Sequence, residues 1–206
     1  MPRSSSKDKY IVQAFELFKR KGLSLNMEQI AQGLGLTKKT LYNNFGSKQE
    51  LISAAKDHFF MELEQRIAAR FKDSANAIEA LIGISSVIHA EIGRLGALLL
   101  EDVSNYRSNS GIFNFTNRTG FYSAVIRDNL QRGIREGLYR KDVDVDYATL
   151  FYTAAIDRFY HWDGSFRYLD DSLTPHYHDE LVKHHLYAVV NDAGRKILEN
   201  YLSQIK

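Results

Sequence analysis

Between Thr37 and Lys48 the chain gathers side chains suited to contacting a nucleic acid. Lys38, Lys39, Thr40, Tyr42, Asn43 and Asn44 can all donate hydrogen bonds, and none is acidic. Asparagine can pair bidentately with adenine, lysine reaches the guanine edge, and Thr and Tyr hydroxyls suit phosphate oxygens. Lys48 stands at the start of the next helix, where backbone N–H groups also favour a phosphate. A helical hairpin with a solvated polar face has a similar composition, so residue types alone leave both readings open.

Groups for bond-making chemistry are not assembled in this way. The chain has no cysteine, which excludes thiol catalysis, thiolate metal sites and a disulfide scaffold, and fits a reducing compartment. HExxH, glycine-rich phosphate loops and nucleophile elbows are absent, so neither a catalytic residue nor a cofactor is expected. Among seven histidines, His176 and His178 are two apart and His184 and His185 adjacent, so neither pair shares a helix face. Asp157 and His161, four apart, can share one and read as a side-chain pair on a helix. No metal is expected. The start of the chain carries no apolar segment, and the apolar runs, Ala97 to Leu100 among them, fall far short of the roughly 18 residues of a membrane span. A cytoplasmic protein that meets no membrane is expected.

The elements that must hold the polar run are helices. Pro2 and Pro175 are the two prolines in 206 residues, so nothing between them breaks a helix interior. Ile11, Ala14, Phe15 and Phe18 mark one helix face, ended by Gly22. Asn26, with Gln29 three residues on, predicts a capped second helix that turns Met27, Ile30, Ala31 and Leu34 inward. Gly33-Leu34-Gly35 turns the chain, and Thr37 caps a third short helix on which Leu41 and Phe45 share a face. Ala31 allows close approach, Gly35 takes the left-handed turn, and Leu36 with Leu41 fills the wedge. The pattern is a helix-turn-helix, whose second helix can enter a major groove with its N-terminal residues leading. Ser47 and Glu50 form a capping box for a long fourth helix through Leu51, Ala55, Phe59, Leu63, Ile67 and Phe71.

Beyond Asp73 the periodicity stays helical. Ile78 to Leu99 predicts a helix reaching about Val103, and Asn105 to Asn117 reads as a loop around a short helix. Tyr122, Val125, Ile126, Leu130 and Ile134 give the next face, ended by Gly137. Asp144 or Asp146 caps a helix through Leu150, Phe151, Ala154, Arg158 and Trp162. After Pro175, one helix through Leu181, His185, Val189, Ala193, Ile197 and Tyr201 is predicted to reach the end, and no strand is expected. The net charge of +2 is uneven: residues 1–50 hold nine Lys or Arg against four Asp or Glu, which leaves +5 there and −3 on the rest. A basic head on a mildly acidic body suggests that the head meets a polyanion.

Residues 8–54 resemble the TetR family of bacterial transcriptional regulators. The resemblance lies in Ile30-Ala31, Gly35-Leu36-Thr37, Thr40-Leu41-Tyr42 with Phe45, and Ser47-Lys48-Gln49-Glu50-Leu51. A weaker likeness lies in Gly133 to Tyr139 leading to Asp144. The resemblance implies a homodimer reading a palindrome in double-stranded DNA, released by a small-molecule effector bound in a C-terminal domain. Carried over by position, Thr37 would cap and touch the backbone, Thr40 and Tyr42 would contact phosphate or base edges, and Lys48 would hold phosphate, with Asn26 and Met27 opening the positioning helix. Lys39 stands where the family more often has a small residue, and Asn43-Asn44 where aromatic or histidine residues are frequent, so inherited operator rules do not transfer. Arg3 and Lys7 can form a flexible arm.

The expected fold is therefore all-α with about nine helices, residues 1–50 forming the helix-turn-helix domain and 51–206 a helical effector-binding and dimerisation domain. Aromatics crowd the second half, Phe151 among those expected in the core. Tyr122, Tyr152, His161 and Trp162 are candidates to line a ligand site. The last two helices, with Leu181, Val189 and Ile197, are candidates for the dimer face. Two rivals stand beside this reading: a DNA-binding architectural or partner-dependent regulator without an effector, and an all-α enzyme whose hairpin only resembles a DNA reader.

Overall fold

The computed structural model describes residues 6–95, 99, 102, 119–160 and 174–204. Among the described residues the chain forms nine helices: α1 (Ser6–Lys21), α2 (Met27–Gly33), α3 (Lys38–Asn44), α4 (Lys48–Asp73), α5 (Ala77–Gly93), α6 (Thr119–Arg135), α7 (Val145–Tyr160), α8 (Thr174–Val189) and α9 (Asp192–Gln204). They belong to two compact units, one of Met1–Gln65 with Ala90–Asn114 and the other of Arg66–His89 with Phe115–Lys206. None of the described helices is long and apolar enough to cross a membrane.

In the first unit, α1 turns Ala14, Leu17 and Phe18 inward, and Gly22 ends it at φ 72°, a conformation that glycine takes without strain. Ile30, Ala31, Leu41 and Phe45 from α2, α3 and the residue after it complete the core with Leu51, Ile52 and Ala55 of α4. Phe15 meets Phe59 at 5.5 Å between ring centres. The backbone N–H of Leu23, just past α1, donates to the Asp102 carboxylate.

The second unit has its own core, in which Ala77, Ile78 and Leu81 of α5 pack with Ile126 and Leu130 of α6, Tyr152 of α7, Val182 and Leu186 of α8, and Leu198 of α9. Its corners are polar. Arg132 donates to the carbonyls of Phe71 and Ser74 at 2.9 and 2.8 Å and satisfies the C-terminal end of α4. Glu136 accepts from the N–H of Ala77, the first residue of α5, at 2.8 Å. Asp144 caps α7 by accepting from the N–H of Tyr147 at 3.0 Å, one of the two positions expected from sequence.

Two expected helices differ. The one traced to Val103 stops at Gly93, and Arg94 and Leu95 form a turn. The single last helix is two. Val190 leaves the helix to form an antiparallel bridge with Tyr139, Arg140 N–H donates to Val189 O at 2.9 Å, and Asn191 N–H donates to Leu138 O at 3.0 Å. Asn191 then caps α9 through the N–H of Gly194 at 3.0 Å. A Cβ at Gly194 would lie 2.1 Å from the Leu138 carbonyl oxygen, so a glycine is what lets the two segments meet. The break also rotates the buried face: Gly194 and Leu198 point inward, whereas Ile197 is 38% exposed. The expected loop around Asn105 to Asn117 lies outside the described residues.

Candidate nucleic-acid interface

The polar run is held by two caps. Asn26 Oδ1 accepts from the N–H groups of Glu28 and Gln29, both at 3.0 Å, while Gln29 Oε1 accepts from the Asn26 N–H at 2.9 Å. This reciprocal box satisfies three backbone donors at the start of α2. After Gly35, at φ 68°, the Leu36 N–H returns to Ala31 O at 2.9 Å and closes the turn. Thr37 Oγ1 then accepts from Thr40 N–H at 3.1 Å and meets Thr40 Oγ1 at 2.8 Å. Both hydroxyls are therefore positioned at the N-terminal end of α3, where the helix dipole favours an anion.

Along α3 the side chains divide by burial. Leu41 is buried, Lys38, Lys39, Tyr42 and Asn43 are exposed, and Thr40 and Asn44 are half-buried. Tyr42 keeps 45% of its surface exposed although it is a large aromatic. Lys38 lies 3.4 Å from Glu28, whereas Lys39 has no ion-pair partner among the described residues. Asn44 donates to Thr40 O at 2.8 Å, which ties its amide to its own helix. Met27 is 7% exposed, so its side chain belongs to the wedge between helices, and its contribution at the helix terminus is the backbone N–H. Lys48 is half-buried at the first position of α4, next to Ser47, whose Oγ accepts from Glu50 N–H at 3.1 Å.

The expected arm is different. Lys7 sits 3.5 Å from Glu50 and 5.1 Å above the Phe45 ring, so it is fastened to the head as part of α1; Arg3 lies outside the described residues. Of the four ligand candidates, Tyr152 is buried, bonded to Ser85 at 3.1 Å and tilted against the His185 ring at 4.3 Å between ring centres. Tyr122 is half-buried beside Phe121 on α6. His161 and Trp162 lie outside the described residues. His178 and His185, weighed in the sequence only as halves of two metal pairs and, for His185, as part of the last helix face, are two buried rings; their seven-residue spacing, two helical turns on one face, was the signal that joins them. Phe151, expected in the core, is 61% exposed.

A capped helix-turn-helix that projects lysine, tyrosine and asparagine from its second helix defines a DNA-binding protein of the helix-turn-helix class. Residues 11–55 match the family model described as "Bacterial regulatory proteins, tetR family". The helix-turn-helix head of this DNA-binding regulator is thus similar to that of the TetR family of transcriptional regulators. The chain is 38% identical over 55 residues to the uncharacterized HTH-type transcriptional regulator YvaF of Bacillus subtilis, a match that spans 27% of this chain and 29% of that protein's length. It is 26% identical over 156 residues to the HTH-type transcriptional repressor KstR2 of Mycobacterium tuberculosis, covering 72% of this chain and 76% of that one. The fold is shared with the solved structure of KstR2, at a TM-score of 0.56 and 22% identity over 92% of this chain and 97% of that one. A transcriptional regulator from Cytophaga hutchinsonii superposes with a TM-score of 0.76 at 16% identity, covering 89% and 98%.

Proposed function

We propose that this regulator is a cytoplasmic homodimeric repressor that reads a palindromic operator through α3 and is released by a small molecule bound in residues 51–206. The observation that carries the DNA reading is the Thr37-capped α3 with Lys39, Tyr42 and Asn43 exposed on its outer side. Lys39 and Asn43 address base edges, Thr37, Thr40, Tyr42 and Lys48 address phosphates, and Lys38 joins them when it leaves Glu28. Asn26 and Met27 set the angle of α2 across the backbone. Asn44, tied to Thr40, supports α3.

Support for a dimer comes from α7. Tyr147, Leu150 and Phe151 occupy i, i+3 and i+4 and are 66%, 67% and 61% exposed. Three large apolar side chains side by side in water favour burial against a second copy. Val189, expected on that face, is 3% exposed within its own core, which moves the candidate face to α7 with the outer side of α8. Two heads would then need a separation of about 34 to 36 Å to enter successive major grooves, and an effector acts by favouring a dimer state in which that separation is lost.

The decisive experiment is selection of bound duplexes from a random library by the purified protein at two salt concentrations. A palindromic site whose affinity falls steeply with salt is the expected result. Salt-sensitive but sequence-blind retention would favour an architectural binder, and no retention would favour an all-α enzyme with a fortuitous hairpin. Relatives named as repressors, KstR2 among them, favour repression over activation.

A further inference from the structure

Inside the second unit, Tyr152 and His178 converge on a single turn of α5, and His185 packs against Tyr152. The Tyr152 hydroxyl on α7 is bonded to Ser85 Oγ at 3.1 Å, and its ring lies 4.3 Å from the His185 ring on α8. His178, seven residues before His185, bonds to the Ser85 backbone and stands 5.3 Å from His89. Tyr152, His178 and His185 are 3%, 1% and 6% exposed.

Within this cluster, His185 Nε2 is enclosed and has no hydrogen-bond partner among the described residues. Buried ring nitrogens are normally bonded, and one that is not marks a place where another group completes the bond. The surroundings restrict what that group can be. Tyr152 belongs to the same core as Leu81, Ile126 and Leu186, and no Lys, Arg, Asp or Glu is buried among the described residues. An anion brought here would lose its hydration without gaining a buried counter-charge, and the carboxylate acting on His178, that of Asp179, is itself negative. Burial also holds both imidazoles neutral, so they supply no positive charge of their own.

We infer that the effector is an uncharged, mainly apolar alcohol or phenol whose hydroxyl bonds His185 Nε2, with its apolar frame against the Tyr152 ring. A hydroxyl serves either imidazole tautomer, by donating to the bare nitrogen or accepting from its proton. This assignment rests on the reading that the second unit binds an effector.

The test uses the whole protein with 15N-labelled histidine and three probes, 2-naphthol, decan-1-ol and cyclododecanol, each beside its carboxylate counterpart. At least one alcohol is expected to move the His185 Nε2 resonance and to bind at least tenfold more tightly than its carboxylate. His185→Phe is expected to weaken that alcohol at least tenfold, and His185→Leu carries the same measurement if the first variant does not fold. The assignment is overturned if no alcohol binds, if the carboxylates bind more tightly, if the resonance stays still at saturation, or if it already reports a bond to water that no alcohol displaces. DNA affinity, measured in the same samples, separates the two readings. An alcohol seated at His185 without change in DNA affinity keeps the subsite and sinks ligand release. Release of DNA with His185 undisturbed does the reverse.

Discussion

Thr37 and Lys39 are two residues apart and do different work. The Thr37 hydroxyl is committed to its own helix, accepting from Thr40 N–H, so Thr37→Ala should lower stability by about 1 kcal/mol, the usual loss for such a cap. Chemical denaturation would record it. Lys39 is exposed, and Lys39→Ala should leave stability unchanged while lowering DNA affinity. If Lys39 meets a phosphate, the slope of log affinity against log salt should also fall by about 0.9. Fluorescence anisotropy on the selected duplex at several salt concentrations reads both effects; an unchanged affinity would remove Lys39 from the interface. The two buried histidines give a second prediction at this scale. Burial holds His178 and His185 down to about 4, and neighbouring His89 adds to the effect on His178. The unfolded chain takes up these protons near the ordinary value of about 6.5. The folded state resists protonation, so stability is fully present above pH 6.5 and is lost as pH falls from there towards 4. The loss is on the order of 3 kcal/mol per histidine. Urea unfolding at pH 7.5 and 5 should show a lower midpoint at pH 5, and His185→Phe should flatten part of the difference.

Elements differ in how far their sequences announced them. The helices of the head were legible because their signals are local: Asn26 with Gln29, Gly35 at its turn and Thr37 before Lys38 act within four residues. The split between α8 and α9 was not. Val189, Ala193 and Ile197 continue the helical period of α8 past the break, and what interrupts it is Leu138 and Arg140, some fifty residues earlier in the chain. The same distance hid the cluster on α5, because His178 and His185 acquire their meaning from Ser85 and Tyr152 on other helices. One glycine on α6 has a consequence that can be measured. A Cβ on Gly133 would fall 2.2 Å from the Tyr139 ring, whose hydroxyl donates to Asn129 at 3.1 Å while Asn129 donates to the Ala77 carbonyl at 2.7 Å. Gly133→Ala must displace that ring and strain the chain of bonds. A loss of about 1–3 kcal/mol is expected from overpacking, seen as a lower urea midpoint, and an unaltered midpoint would show that the ring can relocate at no cost.

For the whole molecule, the exposed Tyr147, Leu150 and Phe151 make assembly testable apart from DNA. Leu150→Glu places a charge in the middle of that patch, and its 67% exposure means that the folded monomer has room for it. Sedimentation equilibrium should then report a monomer with an unchanged helix content, and affinity for a palindromic duplex should fall at least tenfold while that for a half-site changes little. A Leu150→Glu protein that remains dimeric would put the interface elsewhere.

The split at Val190 also bears on how the chain is made. Residues of the head as far as Gln65 are synthesised well before Val190 and Leu198, which the second core needs. The bridge from Tyr139 to Val190 and the bond from Asn191 to Leu138 close that core across some fifty residues, the kind of late, non-local closure that folding pays for in time. A nascent chain thus carries the helix-turn-helix before the second core can close. A premature stop just after Asn191 would leave the helix-turn-helix intact and remove Leu198, giving a head joined to a core that cannot close.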